Sequence, residues 1–379
     1  AGGLGCELLK DLALLGFGNL EVIDMDTIDV SNLNRQFLFR MRDVGKPKAV
    51  VAAERITQRV SGVRVQSHFD RIENKPPQFY KDFHIIVLGL DSVEARAWIN
   101  ATVCGFLEYD AEGNVDLATV KPLVDGGTEG FRGHARVIIP GVTPCFACTM
   151  WLFPPQVKFP LCTLAETPRT PVHCIEYAHL IQWPRENPAT EFDVDSSAHL
   201  TWCFEQATRR AGEFGIQGVT LSLTQGVVKN IIPAIASTNA IVAAACATEV
   251  LKMATMCSAG MNNYMMYMGA EGIYTHTVAY EKDLECPQCS SGICLTVPRA
   301  KTLEEVIGML ADHPRVGGSI AAPSISYGAK NLYMQGPLEE VTRPNLKRQM
   351  QELVQADKAV LSINDKKLPQ TLRLNLTLQ

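Results

Sequence analysis

The chain has 379 residues, 46% of them hydrophobic and 20% charged, with a formal charge of −5 and a pI near 6.0. That length accommodates two or three domains with buried cores. Scattered Lys and Arg residues give no broad basic footprint, which excludes nucleic acid as a partner and leaves proteins and nucleotides.

The chain opens on Ala1-Gly2-Gly3-Leu4-Gly5 with no basic-then-apolar signal ahead of it. A glycine turn of this kind ordinarily follows a buried strand, and that strand is expected to be missing. Leu4, Leu8, Leu12 and Leu15 recur at helical spacing, and Gly16 to Gly18 end the helix before a strand at Leu20-Glu21-Val22-Ile23. Gly2, Gly3 and Gly5 would let the backbone approach phosphates at a helix N-terminus, whose unpaired N–H groups and dipole favour anions. Asp24, about 20 residues on, is placed to accept ribose hydroxyls. The pattern serves NAD, FAD or ATP, so an oxidoreductase and an adenylating enzyme are both open at this point.

The stretch Asp24-Met25-Asp26-Thr27-Ile28-Asp29-Val30-Ser31-Asn32-Leu33-Asn34-Arg35-Gln36 comes next, followed by Gly45-Lys46-Pro47-Lys48 at a second helix start. Asp-x-Asp, Asn-Leu-Asn-Arg-Gln and the later Lys resemble the nucleotide site of the family that activates ubiquitin-like proteins. That site is shared with bacterial enzymes that adenylate sulfur-carrier proteins. The chemistry suits the residue types. Attack of a carboxylate on an α-phosphate brings two anions together, so cations and donors must be in place beforehand. The resemblance implies that Asn32, Arg35, Gln36 and Lys48 grip the triphosphate of ATP while Met25 and Ile72 flank the adenine. It also implies that Asp91, after the strand His84 to Gly89, holds magnesium. The alternative for Asp91 or Ser92 is to cap the helix Val93 to Ala101.

The run Pro122 to Gly133 continues the resemblance as a glycine-rich loop that could admit an extended Gly-Gly tail. Arg136 either selects the residue before that tail or is an ordinary edge-strand arginine. The twelve cysteines include the pairs Cys145 and Cys148, and Cys286 and Cys289, each with C-x-x-C spacing, which read together as a closed, structural zinc site with four thiolate ligands. This usage points to a reducing compartment, cytoplasmic or nuclear.

Between the pairs, Pro160-Leu161-Cys162-Thr163-Leu164-Ala165-Glu166-Thr167-Pro168-Arg169 resembles the family's catalytic-cysteine loop. Composition alone does not separate Cys162 from Cys174 or Cys203; the resemblance makes Cys162 the nucleophile that attacks an acyl adenylate. Residues 198 to 214 have helical periodicity, so the insertion reads as mostly helical. The apolar stretch Ile231 to Thr255 carries Asn239, Glu249 and Lys252 and reads as a buried helix, not a membrane span. Thr238-Asn239 within it either packs or lines the site. Beyond about Val297 the alternations Ala359 to Ile363 and Leu372 to Leu376, with a helix at Leu303 to Leu310 and a hairpin at Ile325 to Gln335, suggest a small α+β domain. It resembles the ubiquitin-fold domain that recruits a conjugating enzyme.

The expected fold is therefore α/β, a Rossmann-like adenylation domain with a mostly helical catalytic-cysteine insertion and a C-terminal α+β ubiquitin-fold domain. The boundaries are 1–154, 155–220, 221–296 and 297–379. A single nucleotide-binding pattern, in a family that pairs two, implies a heterodimer with an inactive second subunit. Within the family, the run Asp125 to Arg136 and His173-Cys174-Ile175-Glu176-Tyr177 followed by Gln182-Trp183-Pro184 most resemble the member of the neddylation pathway, with the SUMO-activating subunit second. A sulfur-carrier adenylating enzyme without a cysteine relay and a non-catalytic scaffold are the other readings.

Overall fold

In the computed structural model, which describes residues 1–110, 113–153, 166–194, 196–229, 234–257 and 262–379, the leucine spacing of the first segment becomes helix α1, Gly3–Leu14. Two sets of α1 residues face two cores. Cys6, Leu9 and Ala13 pack with Val22, Ala52 and Ile56, while Leu4, Leu8 and Leu12 pack with Val124 and Val137. Each buried leucine contributes about 1.5–3 kcal/mol. Strand β1 (Asn19–Ile23) pairs in parallel with β2 (Arg64–His68), and helix α2 (Lys48–Arg59) connects them. Short helix α3 (Pro77–Lys81) leads to β3 (Ile86–Leu88), followed by α4 (Val93–Cys104). β4 (Leu123–Glu129) pairs in parallel with β3 and antiparallel with β5 (Arg132–Ile138).

The glycine-rich run expected as a loop is thus strand β4, buried over its first four residues, a turn at Gly130 and the start of β5. A Cβ on Gly126 would lie 2.8 Å from Leu4 Cδ2 and 3.0 Å from Cys246 Sγ, so glycine here is what lets two helices approach the sheet.

Pro154–Pro233 form a second compact unit. Its described part contains α5 (Pro171–Tyr177), α6 (Ser197–Glu213) and α7 (Leu221–Val228) around a core of Cys174, Ile175, Cys203, Ala207 and Val228. Thr170, Ser196 and Thr220 cap the three helices. The boundary expected at 220 therefore moves to 233, because α7 buries its apolar face inside this unit.

The first unit resumes at Ala234. Helix α8 (Ala236–Thr255) lays Val242, Ala243, Cys246 and Val250 against α1, Val124 and Val137. No described helix is long and apolar enough to cross a membrane. β6 (Tyr264–Met268) and β7 (Tyr274–Val278) extend the sheet, giving the order β3-β4-β5-β6-β7.

β8 (Ile293–Val297) starts the C-terminal domain four residues before the expected boundary, since it pairs in parallel with β12 (Leu372–Leu378). Helix α9 (Leu303–Ala311) packs Leu303, Val306 and Leu310 on the sheet β10-β9-β11-β12-β8. The other strands are β9 (Ser324–Tyr327), β10 (Lys330–Tyr333) and β11 (Lys358–Asn364). Inward residues of β11 and β12 alternate as their sequences predict, with Leu361, Ile363, Leu372, Leu374 and Leu376 essentially inaccessible.

Candidate functional site

Asp24, Ile72 and Asp91 follow the carboxyl ends of the parallel strands β1, β2 and β3, where open α/β sheets bind ligands. Gly89, just after β3, abuts the first turn of α1: a Cβ there would lie 3.7 Å from the Gly5 nitrogen. Gly2 is the N-cap of α1 and offers no side chain to cover the free amides of that turn, and the turn carries no acidic residue. Arg35 approaches the same turn, its Cγ 3.5 Å from a Cβ built on Gly3.

Asp24 Oδ1 accepts from the Asp26 amide at 2.8 Å. Lys48, buried at the start of α2, pairs with Asp26 at 2.7 Å, which ties the Asp-x-Asp segment to that helix. Asn32 accepts from the Asp29 amide at 3.0 Å, and Arg35 Nη1 donates to the Ser31 carbonyl at 3.0 Å. Met25 is exposed and Ile72 half-buried, leaving apolar surface at the strand ends. Gln36 is buried, and its Oε1, an acceptor, has no hydrogen-bond partner among the described residues.

Ser92 caps α4, accepting from the Ala95 amide at 3.1 Å, so capping does not occupy Asp91, which is exposed. That leaves its carboxylate available to a cation. The loop carrying Asp91 is held from below. Arg96 donates to the carbonyls of Leu90 at 2.5 Å, Ser92 at 3.3 Å and Gly126 at 3.1 Å, and pairs with Asp125 at 2.9 Å. Asp125 is fully buried and also takes Arg136 Nε and Nη2 at 2.9 and 2.8 Å and His134 at 3.4 Å. Burial alone would raise its pKa, but the His134 contact and the charges of Arg96 and Arg136 drive it far below the carboxylate range.

The alternative reading of Arg136 as an edge-strand residue does not hold, because β5 lies between β4 and β6. Its guanidinium is 3% exposed and donates Nη1 to Thr149 at 3.0 Å.

The two C-x-x-C knuckles meet. Cys145 Sγ is 3.7 Å from Cys286 and 3.8 Å from Cys148, and Cys148 is 3.5 Å from Cys289. Four sulfurs held tetrahedrally at about 2.3 Å from zinc would be about 3.8 Å apart. The cluster therefore fits a closed zinc site without rearrangement. It is the one group of metal-ligating side chains among the described residues.

Cys162 lies outside the described residues. Its two sequence competitors are packed core. Cys174 and Cys203 are inaccessible, and burial raises both thiols, Cys203 to about 12.

Comparison with known proteins agrees with this geometry. Residues 1–289 match the model of the ThiF family, and residues 296–378 match that of an E2 binding domain. Relatives named NEDD8-activating enzyme E1 catalytic subunit include one from Arabidopsis thaliana, 60% identical over 93% of this chain and 78% of the relative. One from Drosophila melanogaster is 50% identical over 100% and 86%, and one from Dictyostelium discoideum 48% identical over 100% and 87%. With its nucleotide-type cradle, paired knuckles and C-terminal domain all inside these matches, the chain belongs to the ThiF family.

Proposed function

We propose that the chain is the catalytic subunit of a heterodimeric enzyme that activates NEDD8. The C-terminal carboxylate of the modifier attacks the α-phosphorus of ATP and releases pyrophosphate. The Cys162 thiolate then attacks the acyl adenylate and AMP leaves, and a conjugating enzyme takes the modifier by thioester exchange. The observation that carries this reading is the presence, in one chain, of a phosphate cradle at α1 and a match to an E2 binding domain.

Arg35 supplies positive charge beside the first turn of α1, and Lys48, held by Asp26 at the start of α2, would supply a second cation to the triphosphate, so little reorganisation is needed as charge develops. Asp91 is the residue to hold magnesium, which would neutralise the leaving pyrophosphate; Asn32 and Gln36 would complete the grip. Arg136, locked by Asp125, is assigned to disfavour a cationic residue ahead of the modifier's terminal glycines. Cys145, Cys148, Cys286 and Cys289 would hold zinc, which would fix the two knuckles and leave no coordination position open for chemistry. The second subunit carries the inactive fold.

The test incubates the chain and its partner subunit with ATP, magnesium and labelled NEDD8, SUMO and ubiquitin, followed by non-reducing gels. A thiol-sensitive NEDD8 band that Cys162→Ala abolishes is expected. ATP–pyrophosphate exchange without such a band would instead mean an adenylating enzyme of the sulfur-carrier type, and neither signal would mean a scaffold.

A further inference from the structure

Within the apolar helix α8, Asn239 is 3% exposed and sits where an alanine would pack more cheaply. Its carboxamide is oriented from outside the helix, since the Thr128 hydroxyl at the end of β4 donates to Oδ1 at 2.7 Å. The amide nitrogen, turned the other way, makes no hydrogen bond to any described residue. It points at the first turn of α1. A Cβ on Gly3 would lie 2.5 Å from Nδ2, and the same virtual atom is 3.5 Å from Arg35 Cγ. Three elements far apart in sequence thus bring an oriented donor, a cationic side chain and unpaired helix amides to one place. A donor held in that direction by its hydrogen-bonded oxygen is pre-oriented for a ligand at the helix N-terminus.

We infer that Asn239 is a phosphate-binding residue. Its Nδ2 donates to the triphosphate of ATP at the N-terminus of α1, with Thr128 as the positioning residue that turns the amide toward it. Gly3 is glycine because a side chain would occupy the space between them. This inference rests on the adenylation reading and adds to it a donor from the helix that follows the insertion.

The experiment is isothermal titration of the full chain with its partner subunit, using ATP and, separately, adenosine, which keeps the base and ribose but has no phosphates. Asn239→Asp is isosteric and keeps the Thr128 bond while replacing the donor with an anion. It is expected to weaken ATP at least about tenfold and leave adenosine unchanged. Asn239→Ala should weaken ATP severalfold with adenosine again unchanged, and Thr128→Val less than that. Equal weakening of both ligands would make Asn239 a packing residue and overturn the inference, as would unchanged ATP affinity in Asn239→Asp. Wild-type protein that bound neither ligand would overturn the adenylation reading itself.

Discussion

Replacing Asp125 with Asn tests how much of the adenylation domain depends on one buried carboxylate. The side chain is inaccessible and receives two arginines and a histidine within 3.4 Å. Asparagine keeps the volume and one acceptor but leaves the guanidinium groups of Arg96 and Arg136, 6% and 3% exposed, without a counter-charge. Removing one partner of a buried ion pair costs about 3–5 kcal/mol, since the stranded charge keeps its desolvation penalty. Chemical denaturation at pH 7 should show a loss of that size in the transition of the first unit. The pH dependence has a definite sign. The folded pKa is depressed, so the carboxylate contributes fully above the ordinary unfolded value of about 4. That contribution is lost as pH falls toward the folded value, and the stability curves of wild type and Asp125→Asn should converge below about pH 4. A difference under about 1 kcal/mol at pH 7, or one that stayed constant down to pH 2, would refute the reasoning.

Metal analysis should find one zinc per chain, and Cys148→Ser or a strong chelator should lower the thermal midpoint; zinc-free protein of unchanged stability would contradict the site. Gly126→Ala should cost about 1–3 kcal/mol, because its Cβ would lie 2.8 Å from Leu4 and 3.0 Å from Cys246; a neutral substitution would show that α1 and α8 are not tightly seated. Brief iodoacetamide treatment near pH 7.5, read by mass spectrometry, should spare Cys174 and Cys203, whose thiols are buried and raised. Fast labelling of either would undo the argument that separates them from Cys162.

The sequence made local patterns legible and hid those that need a distant neighbour. The i, i+3 cysteine pairs and the alternations in β11 and β12 are set by residues adjacent in the chain, so their spacing was enough. The run Val124 to Glu129 was misread because glycine is common both in loops and at crowded strand positions. Only Leu4 and Cys246, remote in sequence, distinguish the two. The C-terminal domain starts earlier than the expected Val297 because the parallel partner of β8 is β12, near the other end of the domain. Nothing local marks Arg96 and Arg136 as sharing Asp125 or assigns the helix cap to Ser92 rather than Asp91. Asn239 did leave a trace, as a lone carboxamide in an alanine-rich helix, but its direction depends on Thr128.

Interruption of the adenylation domain by the helical unit has a consequence during synthesis. Val124 and Val137 on the emerging sheet need α8 to cover them, and about a hundred residues separate the end of β5 from the start of that helix. At about 5–20 residues per second, the ribosome leaves that face bare for roughly 5–20 s. The first cysteine pair waits longer, since Cys145 and Cys286 are 141 positions apart. The nascent first half thus exposes apolar surface while the insertion is made, and the inserted helices, whose contacts are local, can fold before the domain that contains them is complete.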